Sequence, residues 1–467
     1  MKDLLQKVRD EGTRRGAEFA DARVVERHYT SILRQDGRAD KLSQSTSRGV
    51  GVRVLKDAAW GFASAADFDD VSAMECLDTA VKMAEASRAR IEEPGVVAAV
   101  APTVDTAATP YEKDPRGVSL DRKMQALATF EKEAVDLCGH KLANSILSYF
   151  DVVQKETVCN TFGTLVESNY VRTLVSTMIV AKDGDIRQRG TARSGRLAGF
   201  ELVEQLDPEE FTRKAARQAL SLLDAKPAPA GKFPVVFHPS ITGLLTHEAI
   251  GHNAEADIVA SGGSIIEGKI GQQIASELVT IVDDATQPGV WGSYRYDSEG
   301  TPSERRVIID RGKLVGYMHS LETAAKFGVK PNGSARADGY ANRPIVRMSN
   351  TFIQPGEMTF EDLLKPIDVG VFLTGGEYGY VFCERGQYTC HAGEAYMIRN
   401  GQLAEHLRDV SVNGMTLETL MSIDAVSRDF EMKMPGSCGK DGQSMPVNDG
   451  GPYVRVKELV VGGHGQV

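Results

Sequence analysis

The chain has 467 residues, with 54 Lys and Arg against 64 Asp and Glu, a formal net charge of −10. That acidic balance excludes the basic footprint of a nucleic-acid or anionic-membrane binder. Hydrophobic residues at 42% and charged residues at 25% exclude dominant disorder, and a core of this size needs no disulfide framework.

At about 150 residues per domain, the length predicts two large domains or three smaller ones. The opening Met1-Lys-Asp-Leu-Leu-Gln-Lys has no apolar h-region of a signal peptide. No window approaches the ~18 apolar residues of a membrane span. Cysteines 76, 138, 159, 383, 390 and 438 are scattered. They are expected in a reducing cytoplasm, as core residues, nucleophiles or metal ligands.

Leu4, Leu5 and Val8 share a helical face, and Gly16 ends that helix. Residues 19–62 read as strands and turns; Ser47-Arg-Gly-Val-Gly-Val-Arg-Val-Leu followed by Trp60-Gly-Phe is a hairpin pattern. Gly49 and Gly51 fit strand packing better than a phosphate loop, because no Gly-Lys-Ser/Thr helix start follows. Helical spacing returns over 69–90, and again after Ser119 through Met124, Leu127, Phe130, Ala134 and Leu137. A Pro- and Ala-rich connection over 94–110 separates these helices. Two or three strands fill 142–184, and a further helix spans Pro208 to Asp224. This pattern predicts a mostly antiparallel sheet with helices, an N-terminal α/β domain over 1–225 in a chain of α+β class.

Lys226-Pro-Ala-Pro-Ala-Gly-Lys reads as a stiff, exposed linker. Beyond it, 226–467 is expected to form a mainly β domain, barrel- or sandwich-like, of many short strands. A helix at 240–257 opens it, capped by Ser240 after Pro239. Short helices are expected at 320–327, 358–364 and 415–421.

The helix at 240–257 carries His247-Glu248-Ala-Ile-Gly-His252. It resembles the zincin motif His-Glu-x-x-His with one extra residue. At about 100° per residue, an i, i+5 pair is turned apart by a net ~140° on a regular helix. A shared metal therefore requires a bulge or π-type turn, for which Gly251 offers the backbone freedom. Catalytic zinc takes three protein ligands. By chemistry the third is open among Cys438, Cys383, Cys390, His391, Glu255 and Asp257, with Glu267 and Glu277 available to a gluzincin-like arrangement. Cys438, set in Pro435-Gly-Ser-Cys-Gly-Lys-Asp-Gly-Gln, is expected on an exposed loop, where the nearby lysine favours the thiolate. A nucleophilic Cys438 would leave the His-Glu motif without a role. Glu248 is the expected general base.

From His247 onward the sequence resembles the TldD branch of the TldD/PmbA family of metalloproteases. The resemblance rests on His247-Glu-Ala-Ile-Gly-His, Val282-Asp-Asp, Ser298-Glu-Gly-Thr-Pro, Gly316-Tyr-Met-His-Ser, Arg347-Met-Ser-Asn-Thr, Gly393-Glu-Ala-Tyr-Met-Ile and Gly436-Ser-Cys-Gly-Lys-Asp-Gly-Gln-Ser-Met-Pro-Val. In the N-terminal half it continues more loosely, through Gly49-Val-Gly-Val-Arg-Val and Trp60-Gly-Phe-Ala-Ser. The resemblance implies one Zn2+ per active chain, held by His247, His252 and Cys438, with Glu248 as catalytic acid/base. It implies a cytoplasmic peptidase that trims unfolded or extended peptides, leader peptides included, inside a closed cavity. It also implies a homodimer, or a heterodimer with a PmbA/TldE-type sister subunit that lacks the metal. A non-catalytic scaffold subunit and a hydrolase of small amides are the alternatives. Two runs depart from the family pattern: Ala335-Arg-Ala-Asp-Gly, and the 375–391 run with Cys383, Cys390 and His391. Both bear on substrate choice.

Overall fold

In the computed structural model, which describes residues 1–67 and 69–463, the face of Leu4, Leu5 and Val8 is buried on helix α1 (Lys2–Arg14). The hairpin pattern becomes β1 (Phe19–Gln35), β2 (Arg38–Lys56) and β3 (Ala59–Ala65). Helix α2 (Asp70–Ser87) is capped by the Asp69 carboxylate, which accepts from Ser72 N–H. Ser119 caps α3 (Leu120–Cys138) in the same way.

The 94–110 connection is not all coil. It contains β4 (Val104–Ala108), parallel to β6 (Leu165–Asp183). Five residues with alternate positions exposed give no periodic signal; pairing with the longer neighbour makes the strand. β5 (Leu142–Asn160), β6 and β7 (Ile186–Arg196) complete a seven-stranded sheet in the order β3-β2-β1-β5-β6-β4, with β7 on β6. All pairs but β4–β6 are antiparallel. Helix α4 (Glu201–Gln205) and the predicted α5 (Pro208–Leu223), capped by Asp207, follow.

Under α3 lies a buried ion pair. Lys123 Nζ is 2.5 Å from Asp151 and 5.1 Å from the centre of the Tyr149 ring. Removing one partner leaves an uncompensated charge in a medium of low polarisability. Lys123→Met is expected to cost about 3–5 kcal/mol, read as a lower midpoint in urea, whereas the double variant Lys123→Met/Asp151→Leu recovers most of that loss.

Lys226–Pro227 is exposed as expected, but it is pinned. It pairs in parallel with the strand Gln402–Arg408, and Ala228 N–H donates to Arg408 O. The second half of the chain builds a twelve-stranded sheet. Five of its strands close on themselves. Gly231–Phe237 pairs with Val369–Phe382, that with Gln387–Arg399, that with Val410–Met415, that with Gln443–Gly463, and the last returns to Gly231–Phe237. The barrel-like expectation for this half is therefore met by a closed ring.

Its strands are not all short. Ile423–Lys440 and Gln443–Gly463 form one long hairpin. Glycine and proline interrupt the apolar alternation, and the ladder absorbs the interruptions as register shifts between Val426 and Phe430 and between Glu431 and Met434. The predicted short helices are Leu321–Phe327, Phe360–Leu364 and Thr416–Met421. The two sheets meet directly: Arg53, which pairs with Asp21, also pairs with Glu299 of the second half at 2.7 Å, and Arg193 of β7 donates to Pro435 O in the strand Ile423–Lys440 at 3.1 Å. No helix among the described residues is long and apolar enough to cross a membrane.

Candidate metal centre

The helix predicted over 240–257 is divided into pieces, and the division builds the site. The cap of helix α6 (Pro239–Thr246) lies two residues before the expected one. Its N-cap is His238, whose Nδ1 accepts from Ser240 N–H at 3.1 Å, and Ser240 lies inside the helix. Every residue of α6 is buried, with Leu244 and Leu245 in the main core of this half. A π-turn follows over His247–Gly251, in which His252 N–H reaches back to His247 O. This i, i+5 hydrogen bond restores the angular offset that a regular helix denies the two imidazoles. Their ring centres are 5.1 Å apart at 83°. Gly251 itself is ordinary helix, with φ −53° and ψ −56°. It is glycine for space, not backbone freedom: a Cβ there would lie 2.0 Å from Met348 Sδ.

Cys438, expected on an exposed loop, is 5% exposed and sits within the strand Ile423–Lys440. Buried Arg347 donates to its carbonyl and to that of Gln443, which fixes the hairpin against the helix. Cys438 Sγ lies 3.4 Å from His252 Nε2. The ligating atoms of His247, His252 and Cys438 all lie within 4.8 Å of one another.

Each imidazole has its other nitrogen occupied. His247 Nδ1 lies 3.0 Å from Asp449 Oδ1, and His252 Nδ1 lies 3.1 Å from Glu255 Oε2. In the neutral ring, a carboxylate at Nδ1 fixes the tautomer with Nδ1–H as donor and leaves the Nε2 lone pair for a metal. Glu255 is fully buried between Lys440, at 3.2 Å, and Arg347, at 3.9 Å. Burial opposes its charge, but Lys440 and His252 outweigh that and hold the carboxyl at about 2. Burial likewise opposes the Cys438 thiolate, yet the two imidazoles draw the thiol down to about 5. Lys440 is not the agent: its ammonium binds Glu255, Asp257 at 2.6 Å and Val346 O at 2.9 Å. Glu255→Gln is expected to weaken metal affinity about 10–100-fold, read by competition with a chromogenic chelator.

Glu248 follows His247 in the π-turn and is half-buried. Burial pushes its carboxyl up, against the pull of both imidazoles, which makes it a better proton acceptor. The other candidate ligands stand elsewhere. Glu255 and Asp257 are occupied by Lys440. Glu267 and Glu277 are exposed. Cys390 is a core residue, Cys383 is half-buried with its carbonyl accepting from Ile265 N–H, and His391 stacks on Tyr378 at 4.3 Å.

Asp449 went unnoticed in the sequence. The signal for it is the pair Gly450-Gly451 beside it. Gly243 of α6 crosses the strand there so closely that a Cβ on it would lie 2.4 Å from Gly450 N, and this crossing sets Asp449 beside His247.

Tetrahedral zinc with bonds of 2.0–2.1 Å to nitrogen and 2.3 Å to sulfur separates its ligand atoms by about 3.3–3.6 Å. The 3.4 Å between Cys438 and His252 fits that figure, and the donor set of two imidazoles and one thiolate suits zinc.

Two imidazoles and a thiolate beside a carboxylate form a donor set that could hold a metal ion, on a sheet-rich α+β frame. The chain belongs to the PmbA/TldD metallopeptidase family. It matches the models of the PmbA/TldA metallopeptidase domain 1 over 20–87, the central domain over 113–223 and the C-terminal domain over 230–463. It is 39% identical over 447 residues to a metalloprotease of Methanothermobacter thermautotrophicus, covering 96% of each chain. It is 32% identical over 456 residues to a metalloprotease TldD homolog of Haemophilus influenzae, covering 96% of this chain and 94% of that one. The crystal structure of TldE from Thermococcus kodakarensis shares the fold at a TM-score of 0.77 with 18% identity, over 98% of this chain and 100% of that one.

Proposed function

We propose that this metallopeptidase is zinc-dependent, that His247, His252 and Cys438 hold one Zn2+ in the active chain, and that Glu248 is its catalytic acid/base. The observation that carries this reading is the convergence of Sγ and the two ring nitrogens, with both Nδ1 atoms already engaged by carboxylates. When bound, zinc supplies a Lewis acid that acidifies a water and polarises the scissile carbonyl. Glu248 takes the proton from the attacking water and returns it to the leaving amine. Asp449 and Glu255 hold the imidazoles in place, and Arg347 and Lys440 hold Glu255 and the Cys438 strand.

The substrate is an unfolded or extended peptide, as in leader-peptide removal or peptide degradation. The strand Val369–Phe382 supports this. Gly231–Phe237 pairs with it only through Val371–Leu373, so its 374–382 edge has no strand partner on that side among the described residues. Gly379 on this stretch approaches Glu248 so closely that a Cβ would lie 2.8 Å from Glu248 Cγ. A peptide added along this edge gains affinity through its main chain with little demand on sequence. Membership of the family supports the further reading of a cytoplasmic dimer, of two such chains or with a PmbA/TldE-type sister, that encloses the site.

The test is elemental analysis of the purified protein together with cleavage of an unstructured peptide, alone and with a sister subunit added. Zinc near one equivalent, activity lost to a chelator and restored by zinc are expected. Full activity in metal-free protein would end the proposal; stoichiometric zinc with no cleavage under any pairing would favour the scaffold.

A further inference from the structure

A cavity of about 240 Å³ lies between the N-terminal sheet and the hairpin that carries Cys438, bordered there by Ser437 and Met445. Its walls are aromatic. Phe150 packs edge-on against Tyr29 at 5.1 Å and against Trp291 at 5.9 Å. Two buried arginines, Arg172 and Arg336, line it, 6% and 4% exposed. Each lies over a tyrosine ring, Arg172 over Tyr170 at 5.2 Å and Arg336 over Tyr294 at 4.7 Å.

Neither guanidinium has a carboxylate partner among the described residues. Arg172 gives Nε and Nη2 to the carbonyls of Trp291 and Ser293, at 3.0 and 2.9 Å. Arg336 gives Nη1 to the carbonyls of Met348 and Pro446. Arg172 Nη1 and Arg336 Nη2 have no protein acceptor among the described residues. The carboxylates on the same walls lie nearer to other groups, although Glu156 also acts on Arg172 through space. Asp338 pairs with Arg27 at 2.9 Å, Glu156 faces Arg23 at 3.7 Å, and Asp297 takes the backbone N–H groups of Glu299, Thr301 and Ala335. Two buried cations with spare donors and no carboxylate in contact make a site for an anion, and the aromatic walls select what the anion is attached to. The volume is below the ~300–1,000 Å³ of pockets for drug-sized ligands, so the occupant is about the size of one amino acid.

We propose that this cavity binds a carboxylate borne on a flat apolar group, either the C-terminal aromatic residue of a peptide or a free aryl carboxylate, with Arg172 and Arg336 as its anion-binding pair. The site is separate from the metal and is read without hydrolysis, so it stands or falls apart from the peptidase proposal. The chain has two tryptophans, and Trp60→Phe leaves Trp291 as the reporter in the cavity wall. In that full-length protein, N-acetylphenylalanine is expected to change Trp291 fluorescence saturably, with and without chelator. N-acetylphenylalaninamide and inorganic phosphate should bind about tenfold or more weakly. A peptide ending in phenylalanine that binds as well as the free acid assigns the peptide source; binding of the free acid alone assigns the small molecule. Arg172→Gln is expected to lose the preference for acid over amide. Equal binding of acid and amide, equal binding of phosphate, or binding abolished by the chelator would overturn the proposal. The ligand comparison decides the matter even where Arg172→Gln fails to fold.

Discussion

Glu248→Gln is expected to retain zinc and fold while peptide hydrolysis falls by about 10²–10⁴-fold, the range a positioned acid/base contributes. The substitution keeps the shape of the side chain and removes only its capacity to take a proton. Glu248 is not among the three atoms that converge, so metal content measured alongside kcat separates its role from theirs. The effect belongs in kcat, because the strand pairing proposed for the substrate is left intact by the variant. A Glu248→Gln protein that cleaves at the parent rate would remove the carboxylate from the mechanism and leave the metal centre standing.

Loss of a ligand has a second, larger signature. Cys438→Ala and His252→Ala are each expected to purify with zinc far below one equivalent and to lose activity. They should also lose the stability that the bound ion confers, about 4 kcal/mol at free zinc a thousandfold above its dissociation constant. The protonation states add a readout that mere misfolding would not give. In the metal-free site, burial disfavours charge on His252, but Glu255 and Cys438 outweigh it and raise the imidazole to about 9. His247 is likewise raised well above its ordinary value, by Asp449 and Cys438 against burial. Cys438, near 5, is already a thiolate at neutral pH. Zinc binds only neutral imidazole, so loading at pH 7 is expected to release about two protons. Affinity should therefore rise with pH through the region of about 9 in which His252 gives up its proton unaided. Calorimetry in buffers of different ionisation enthalpy counts the protons, and a release near zero would mean that these imidazoles are not the ligands.

Much of the site was legible because its first part is local. His247, Glu248 and His252 lie within one helical segment, and simple angular arithmetic demanded the π-turn that the structure contains. Gly251 is required for space and not for backbone freedom. A Ramachandran argument looks only at the residue, whereas the constraint comes from Met348, about a hundred residues away, filling the space a Cβ would need. The surroundings of Cys438 misled in the same manner. Flanking glycines signal an exposed loop in isolation, but here they sit in a bulged strand pressed against α6. Lys440 is close in sequence, yet its ammonium is committed to Glu255 and Asp257.

The sequence by itself determined the helices, the long N-terminal hairpins and the two-histidine motif, because each is written in a period of two or of about 3.6 residues that a short window displays. Only the tertiary structure decided that Asp449 lies against His247 Nδ1, that five strands close into a ring, and that Cys438 Sγ comes beside His252 Nε2. The Asp449–His247 and Cys438–His252 contacts join residues 202 and 186 positions apart. Their partners are chosen by what packing brings into reach and by the cost of leaving a buried charge alone, and neither leaves a periodic trace in the chain.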